Sequence, residues 1–339
     1  MACCVQTFAI AKAEEPYAAS AFFDTYSAYS SNAISGSRRP YSTQATQNND
    51  YHINLGSLGI GYDNKTVRAK VAGQYGDSVD ANYASERHAA ARFIQESYVG
   101  AYVDHDITID AGVFLSHIGA ETWLSKDNLT YTRSLIADQS PYYEAGLRLS
   151  RSWGTALTTQ MLLVNGWQNI SDNRHPALGA LITYKINDWT VALNNFLGGE
   201  DRGTRIFHDL NIGKTYKNGL SLLVSFDHGY QSSHSVNAGT WWGSSLIIKQ
   251  RLNDHVALSA RVETYQDPNG VIVTSVTGER FRPYGASLGL DVALGAGFSI
   301  RNELKGLWSP NAIFLDNQTP RDSELLAVSS LSFASDLKF

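Results

Sequence analysis

The stretch Leu325-Leu326-Ala327-Val328-Ser329-Ser330-Leu331-Ser332-Phe333-Ala334-Ser335-Asp336-Leu337-Lys338-Phe339 decides how the rest of the chain is read. Its odd positions, Leu325, Ala327, Ser329, Leu331, Phe333, Ser335, Leu337 and Phe339, make one face, and the even side carries Ser330, Ser332, Ala334, Asp336 and Lys338. Side chains alternate across a strand, so a period of two places the apolar set on one side of a sheet. An amphipathic strand that closes on a phenylalanine leaves an apolar face needing an apolar neighbour.

The same unit recurs upstream. Val256, Leu258, Ala260 and Val262 alternate with Ala257, Ser259, Arg261 and Glu263, and Phe298, Ile300 and Leu304 with Ser299, Arg301, Glu303 and Lys305. Val67, Ala69 and Val71 alternate with Arg68, Lys70 and Ala72; Ala286, Leu288, Leu290, Val292 and Leu294 alternate with Ser287, Gly289, Asp291 and Ala293. The stretches 93–103 and 189–196 alternate poorly. A soluble sandwich produces such alternation too, with the apolar face in a core.

The connections separate the two readings. Short ones, at 63–65, 104–106, 153–154, 187–188, 217–219, 253–254 and 295–297, are tight-turn sequences. Between them lie longer polar segments at 31–50, 78–92, 119–141, 168–176, 199–203, 232–240, 268–283 and 309–323. Short turns at one end and long loops at the other predict an all-β transmembrane antiparallel barrel of about sixteen strands, with periplasmic turns and extracellular loops. A C-terminal Phe339 on such a strand resembles the signal by which the barrel-assembly machinery takes up outer-membrane proteins.

Composition is consistent. Of 339 residues, 43% are hydrophobic, 11% aromatic and only 17% charged. No stretch approaches the roughly 18 to 20 apolar residues of a spanning helix, so a membrane would have to be crossed by strands. A net charge of −5 without a Lys/Arg run speaks against a nucleic-acid partner. Trp153, Trp167, Trp189, Trp241, Trp242 and Trp308, with Tyr62, Tyr75, Tyr143 and Tyr265, fall near strand ends, where interfacial girdles sit.

Cys3 and Cys4 open a short apolar run that leads to Ala11-Lys12-Ala13. Residues 1–13 therefore read as a signal-peptide remnant lacking a basic start, and 14–339 as one barrel domain. The part after residue 13 carries no cysteine, which suits an oxidising periplasm.

The segments Gly119-Ala120-Glu121, Asp127 to Ser134, Ser140 to Arg148 and Val164 to Asn169, with the opening Phe23 to Tyr29, resemble the OmpL-like β-barrel porins. That resemblance implies an outer-membrane location in a Gram-negative cell and a pore, with no settled substrate or catalytic residue. The expectation is a water-filled channel for passive diffusion of small hydrophilic solutes or ions. Its expected partners are the lipid bilayer and the barrel-assembly machinery, with self-association left open.

Candidate site residues follow from the barrel reading. The longest connection, 119–141, is the third long loop, and it carries Glu121, Lys126, Asp127, Arg133 and Asp138. In general porins a third loop folds into the barrel, so these are the expected constriction residues. The polar strand faces would present Arg68, Lys70, Arg148, Lys249, Arg251, Arg261 and Arg301 with Lys305, together with Glu263, Glu303 and Asp227. Acidic groups opposite a basic wall set up a transverse field that filters ions, with a lean towards anions.

Chemistry is harder to find. Nine scattered histidines show no metal spacing, and there is no HExxH, GxSxG or phosphate loop, so no catalytic residue, cofactor or metal is expected. His208-Asp209 and Asp227-His228 are sequence neighbours, and strand neighbours point to opposite sides. The competing readings are a substrate-specific channel with an aromatic file or one sign of charge along its lumen, and a soluble all-β binding or hydrolytic domain.

Overall fold

The computed structural model describes residues 15–32, 38–86, 88–171, 175–200, 203–232 and 238–339. The expected signal remnant lies outside them. The strands are β1 (Tyr17–Ser30), β2 (Tyr51–Asp63), β3 (Val67–Tyr75), β4 (Ile94–Asp104), β5 (Ile107–Leu115), β6 (Tyr143–Trp153), β7 (Leu157–Val164), β8 (Ala177–Ile186) and β9 (Trp189–Glu200). They continue as β10 (Gly203–Thr215), β11 (Leu220–Gln231), β12 (Gly239–Arg251), β13 (Val256–Gln266), β14 (Tyr284–Gly295), β15 (Phe298–Trp308) and β18 (Ser323–Lys338). Each pairs antiparallel with its neighbours in sequence, and β18 returns to β1, closing a barrel of sixteen strands. A short helix, α1 (Asp77–Asn82), follows β3, and within the last loop β16 (Phe314–Asp316) and β17 (Thr319–Arg321) make a separate hairpin.

Period-two patterning sets which side each residue takes. On β13, Leu258 and Val262 are exposed on the outer wall while Ser259, Arg261 and Glu263 are buried within. On β15, Leu304 faces out and Arg301, Glu303 and Lys305 face in. Val71, Leu288 and Leu331 extend the apolar outer wall. Large apolar residues outside and charges inside invert the soluble arrangement, in which contiguous apolar patches rarely exceed a few hundred Å². The barrel therefore needs hydrocarbon around it.

The tight turns rest on residues that tolerate a left-handed backbone. Asn187 (φ 52°) and Gly219 (φ 84°) are two such positions. The weak alternation over 93–103 has a local cause: the β3–β4 register shifts between Ala72 and Gly73, so that Gln95 and Glu96 are both buried. Over 189–196 the cause is Asn195, which lies on the outer face and meets His208 at 2.5 Å.

The aromatic girdle needs correction. Trp153, Trp189, Trp242 and Trp308 are outside, but Trp241, Tyr143 and Tyr265 are buried and Trp167 packs against the inner cluster. Trp241 and Trp242 are strand neighbours, so only one of them can face lipid.

Closure is continuous from Ala18↔Lys338 to Ser30↔Leu326. Beyond the last ladder pair, Tyr17 and Phe339 exchange both backbone hydrogen bonds at 3.1 Å, and their rings stack at 5.9 Å. Each backbone group left open in hydrocarbon costs several kcal/mol. Removing Phe339 is expected to lower the fraction of heat-modifiable, folded barrel in membranes while leaving synthesis unchanged, measured by gel shift against total antigen. A wild-type protein that stayed monodisperse in water without detergent would contradict the barrel's lipid-facing wall.

Candidate pore constriction

The third long loop, residues 116–142, leaves β5 and returns to β6 without staying at the rim. Its short helix α2 (Leu135–Asp138) starts at Ser134, whose Oγ accepts from the Ala137 N–H as an N-cap. The loop's bonds reach round the barrel. Ser125 Oγ donates to Asp24 of β1 at 3.0 Å, Gly119 N to Asp209 of β10 at 2.7 Å, and Ser140 Oγ to Asp227 of β11 at 3.2 Å. Thr132 N donates to Glu303 of β15 at 2.7 Å, and Leu135 N to Glu263 of β13 at 2.6 Å. Strand β13 lies eight places on from β5 (13 − 5) in a ring of sixteen. The loop therefore crosses the lumen to the far wall.

That far wall is a ladder of charge. Arg261 donates to Thr130 Oγ1 (2.7 Å), Thr132 O (2.6 Å) and Thr132 Oγ1 (2.9 Å), and bonds Glu303 at 3.0 Å. Glu263 stands between Arg261 at 3.3 Å and Lys305 at 3.2 Å. Lys305 donates to Arg133 O at 3.1 Å, and Arg301 donates to the carbonyls of Ser125, Asn128 (3.1 Å) and Leu129 (3.3 Å) while pairing with Asp291 at 3.0 Å. The basic wall thus grips the loop's carbonyls while its carboxylates take the loop's N–H groups. Removing one partner of a buried pair costs about 3–5 kcal/mol, so the ladder fixes the loop's position.

The loop's own charges are arranged differently from the expected acidic face. Glu121 turns back into the loop and accepts from Ser134 N (3.1 Å) and Ser134 Oγ. Burial pushes its carboxyl above the usual range, against the opposing pull of Arg261 and of the Ser134 bonds. Asp127 pairs with its neighbour Lys126 at 3.0 Å, and among the described residues it makes no ion pair with the basic wall. Arg133 is wholly buried within the loop system, donating to Thr122 O, Trp123 O and Thr43 Oγ1 and lying 3.9 Å from the Tyr142 ring centre.

Asp138 accepts from the N–H and hydroxyl of Thr43 in the first loop, and burial again raises its carboxyl. It lines a cavity of about 350 Å³ between the first four loops, with Tyr41, Asn82, Gln139, Trp167 and Gln168. Two wall positions lack side chains where the loop docks. A Cβ on Gly243 of β12 would run into Ile136, and one on Gly179 of β8 would come within 2.6 Å of the His117 ring.

A second set of inward charges stays wet. Arg68 and Arg148 share Asp110, Lys70 pairs with Glu96, and Lys249 with Asp291. The four cationic side chains are 17%, 15%, 12% and 23% exposed, against 0% for Arg261 and 4% for Lys305. That difference places the water-accessible lumen beside these residues, in the half nearer the short turns. Arg251 ends β12 exposed at the turn and marks the mouth. Asp110, Asp24, Asp291 and Glu96 were not singled out from sequence. Asp110 was recoverable, since it stands opposite Arg148 in register, although register itself is invisible in sequence.

Several solved structures share this fold. An anion-selective porin from Comamonas acidovorans is 11% identical, with a TM-score of 0.60 over 95% of this chain and all of that one. OprB of Pseudomonas putida at high pH is 12% identical, with a TM-score of 0.65 over 95% and 94% of the two chains. OmpT of Vibrio cholerae in its trimer form is 8% identical, with a TM-score of 0.60 over 94% and 98%. No curated protein matches the chain. The model of one family matches residues 16–334, and this chain belongs to that family, described as "Putative beta-barrel porin-2, OmpL-like".

Proposed function

We propose that this outer-membrane porin passes small hydrophilic solutes by diffusion, with a preference for anions, and that the third loop sets the narrowest section of its path. One observation carries the reading: the loop starts between β5 and β6 and is bonded to β13 and β15 across the lumen. A loop held there subtracts cross-section from a barrel that the strands alone would leave open. The path runs from the cavity between the first four loops, past residues 116–142, to the wet half of the lumen.

The anion preference rests on charge count. Around that lower lumen Arg68, Lys70, Arg148 and Lys249 meet Asp110, Glu96 and Asp291, four cations against three carboxylates. In a channel with low-dielectric walls such an excess raises the local anion concentration. The anion-selective Comamonas porin offers a parallel on the same fold. The protein resides in the Gram-negative outer membrane, where the assembly machinery inserts it, with Phe339 as its recognition residue. The family and the fold are those of a channel rather than an enzyme.

Self-association is part of the reading. Ser27, Ser329 and Asn302 follow one another in register across β1, β18 and β15, and all three lie on the outer face. Polar groups there gain from a protein partner rather than lipid. OmpT of Vibrio cholerae has been solved in a trimer form. The mass of the detergent-solubilised protein measures this directly, and Asn302→Leu is expected to shift it towards monomer.

Shortening the loop by residues 125–129 should raise single-channel conductance in a planar bilayer, whereas an equal cut in residues 268–283 should leave it nearly unchanged. Equal effects from both would overturn the constriction. Gly243→Val should displace α2 at an overpacking cost of about 1–3 kcal/mol, and read out as a higher conductance with the barrel still heat-modifiable. Replacing Arg68 and Arg148 with Gln should move the reversal potential in a salt gradient towards cation preference. No movement would remove the lower lumen as the selectivity element.

A further inference from the structure

Asp209 of β10 and Asp227 of β11 stand directly opposite one another in register, both turned inward, 1% and 3% exposed. Side chains directly opposite on one face of an antiparallel pair have Cβ atoms about 5 Å apart, so the two carboxyl groups stand within reach of each other. Two carboxylates offer only acceptors and repel one another when both are ionised, so a buried pair opposed in this way is eased by one proton held between them. Asp209 takes three N–H donors, Asn194 Nδ2 at 2.6 Å, Gly119 N at 2.7 Å and Asn211 Nδ2 at 2.7 Å, which marks it as the ionised partner. Among the described residues Asp227 meets one group outside the pair, the Ser140 hydroxyl at 3.2 Å, whose shorter bond, 2.7 Å, goes to Ile136 O; with fewer donors than Asp209, it is the better place for a proton.

Among the described residues the donors that meet this pair are amides, a backbone N–H and a hydroxyl, rather than Lys or Arg. Other titratable groups look on from the packed elements. His117, held between Glu144 and Asn195 O, and Glu121 face it from the third loop, and Tyr265 faces it from β13. From β12 the register neighbour of Asp227 is Gly243, which presents no side chain and leaves the space that Ile136 of α2 fills.

Gly119 and Ser140 are the two ends of the lumenal part of the third loop. A single buried carboxyl pair therefore holds both ends of the segment that crosses the channel. We propose that Asp209 and Asp227 share one proton and so fix the loop in its narrow position, which makes these two positioning residues for the constriction and conductance dependent on pH through them. This rests on the third loop being the constriction. Loss of the proton leaves two like charges on directly opposed strand positions, where Cβ atoms lie about 5 Å apart and repulsion is strong. Splaying the carboxylates relieves it, and each carries one end of the loop.

The test uses the full-length protein in planar bilayers across a pH series. Wild-type conductance should rise through one titration step as pH increases. Asp227→Asn keeps a donor towards Asp209 without a titratable proton, and should lose the step while holding the low-pH conductance. If that variant does not assemble, Asp209→Asn leaves one carboxyl, which shares no proton, and should lose the step as well. A wild type flat with pH, or a step that survives either substitution, overturns the latch. The channel shortened at 125–129 separates the two failures. If it conducts more than wild type while wild type is flat with pH, the latch alone falls; if it conducts the same, the constriction falls and the latch with it.

Discussion

Every backbone N–H and C=O that crosses hydrocarbon must find a partner within the protein, and a closed antiparallel ladder is how strands meet that demand. The seam between β1 and β18 is where the demand is met last. Its register runs without a break from Ala18↔Lys338 to Ser30↔Leu326, and Tyr17 and Phe339 complete it at the turn-side end. The rest follows from closure. Sixteen strands joined edge to edge enclose a volume, period-two alternation gives that volume a polar lining, and lipid takes the other face.

An enclosed polar volume raises its own problem, because charges removed from water are costly unless paired. The two halves of the lumen solve it differently. In the half nearer the turns, Arg68, Arg148, Lys70 and Lys249 pair with wall carboxylates and keep part of their surface in water. In the other half, Arg261, Glu263, Glu303 and Lys305 are covered and bonded to the main chain of the third loop. The loop and the wall satisfy one another. Neither would be stable alone in this geometry, since the loop exposes carbonyls that Arg301 fills and the wall exposes charges that the loop's amides neutralise.

Aromatic packing finishes the loop-side end. Tyr41 of the first loop meets Phe281 at 4.6 Å and Phe314 at 6.0 Å, while Trp167 meets Phe196 and Phe207 edge-on near 5 Å. The aromatic file that a substrate-specific channel would need is present on the inner side, but Phe196, Phe207, Phe281 and Phe314 are buried under loops. They form a core joining loops to wall.

The sequence by itself determined the barrel. The alternation in 256–263, 298–305 and 325–339, the seven tight turns and the eight longer segments between them are local features, and a count of about sixteen strands, their direction and their facing follow from them without knowledge of any contact. It also marked Arg261, Arg301, Lys305, Glu263 and Glu303 as inward, since facing is a matter of parity. Parity could not say which inward charge stays wet, nor that Trp241 and Trp242 part company across the wall once the register is set. Only the tertiary structure decided that Asp127 pairs with Lys126, that Glu121 folds into its own loop, and that His208 meets His228 outside while Asp209 meets Asp227 within. Those outcomes depend on the register between strands and on the path of a loop with no repeating pattern. Both are set by contacts between residues far apart in the chain, whose separation in sequence carries no trace of their distance in space.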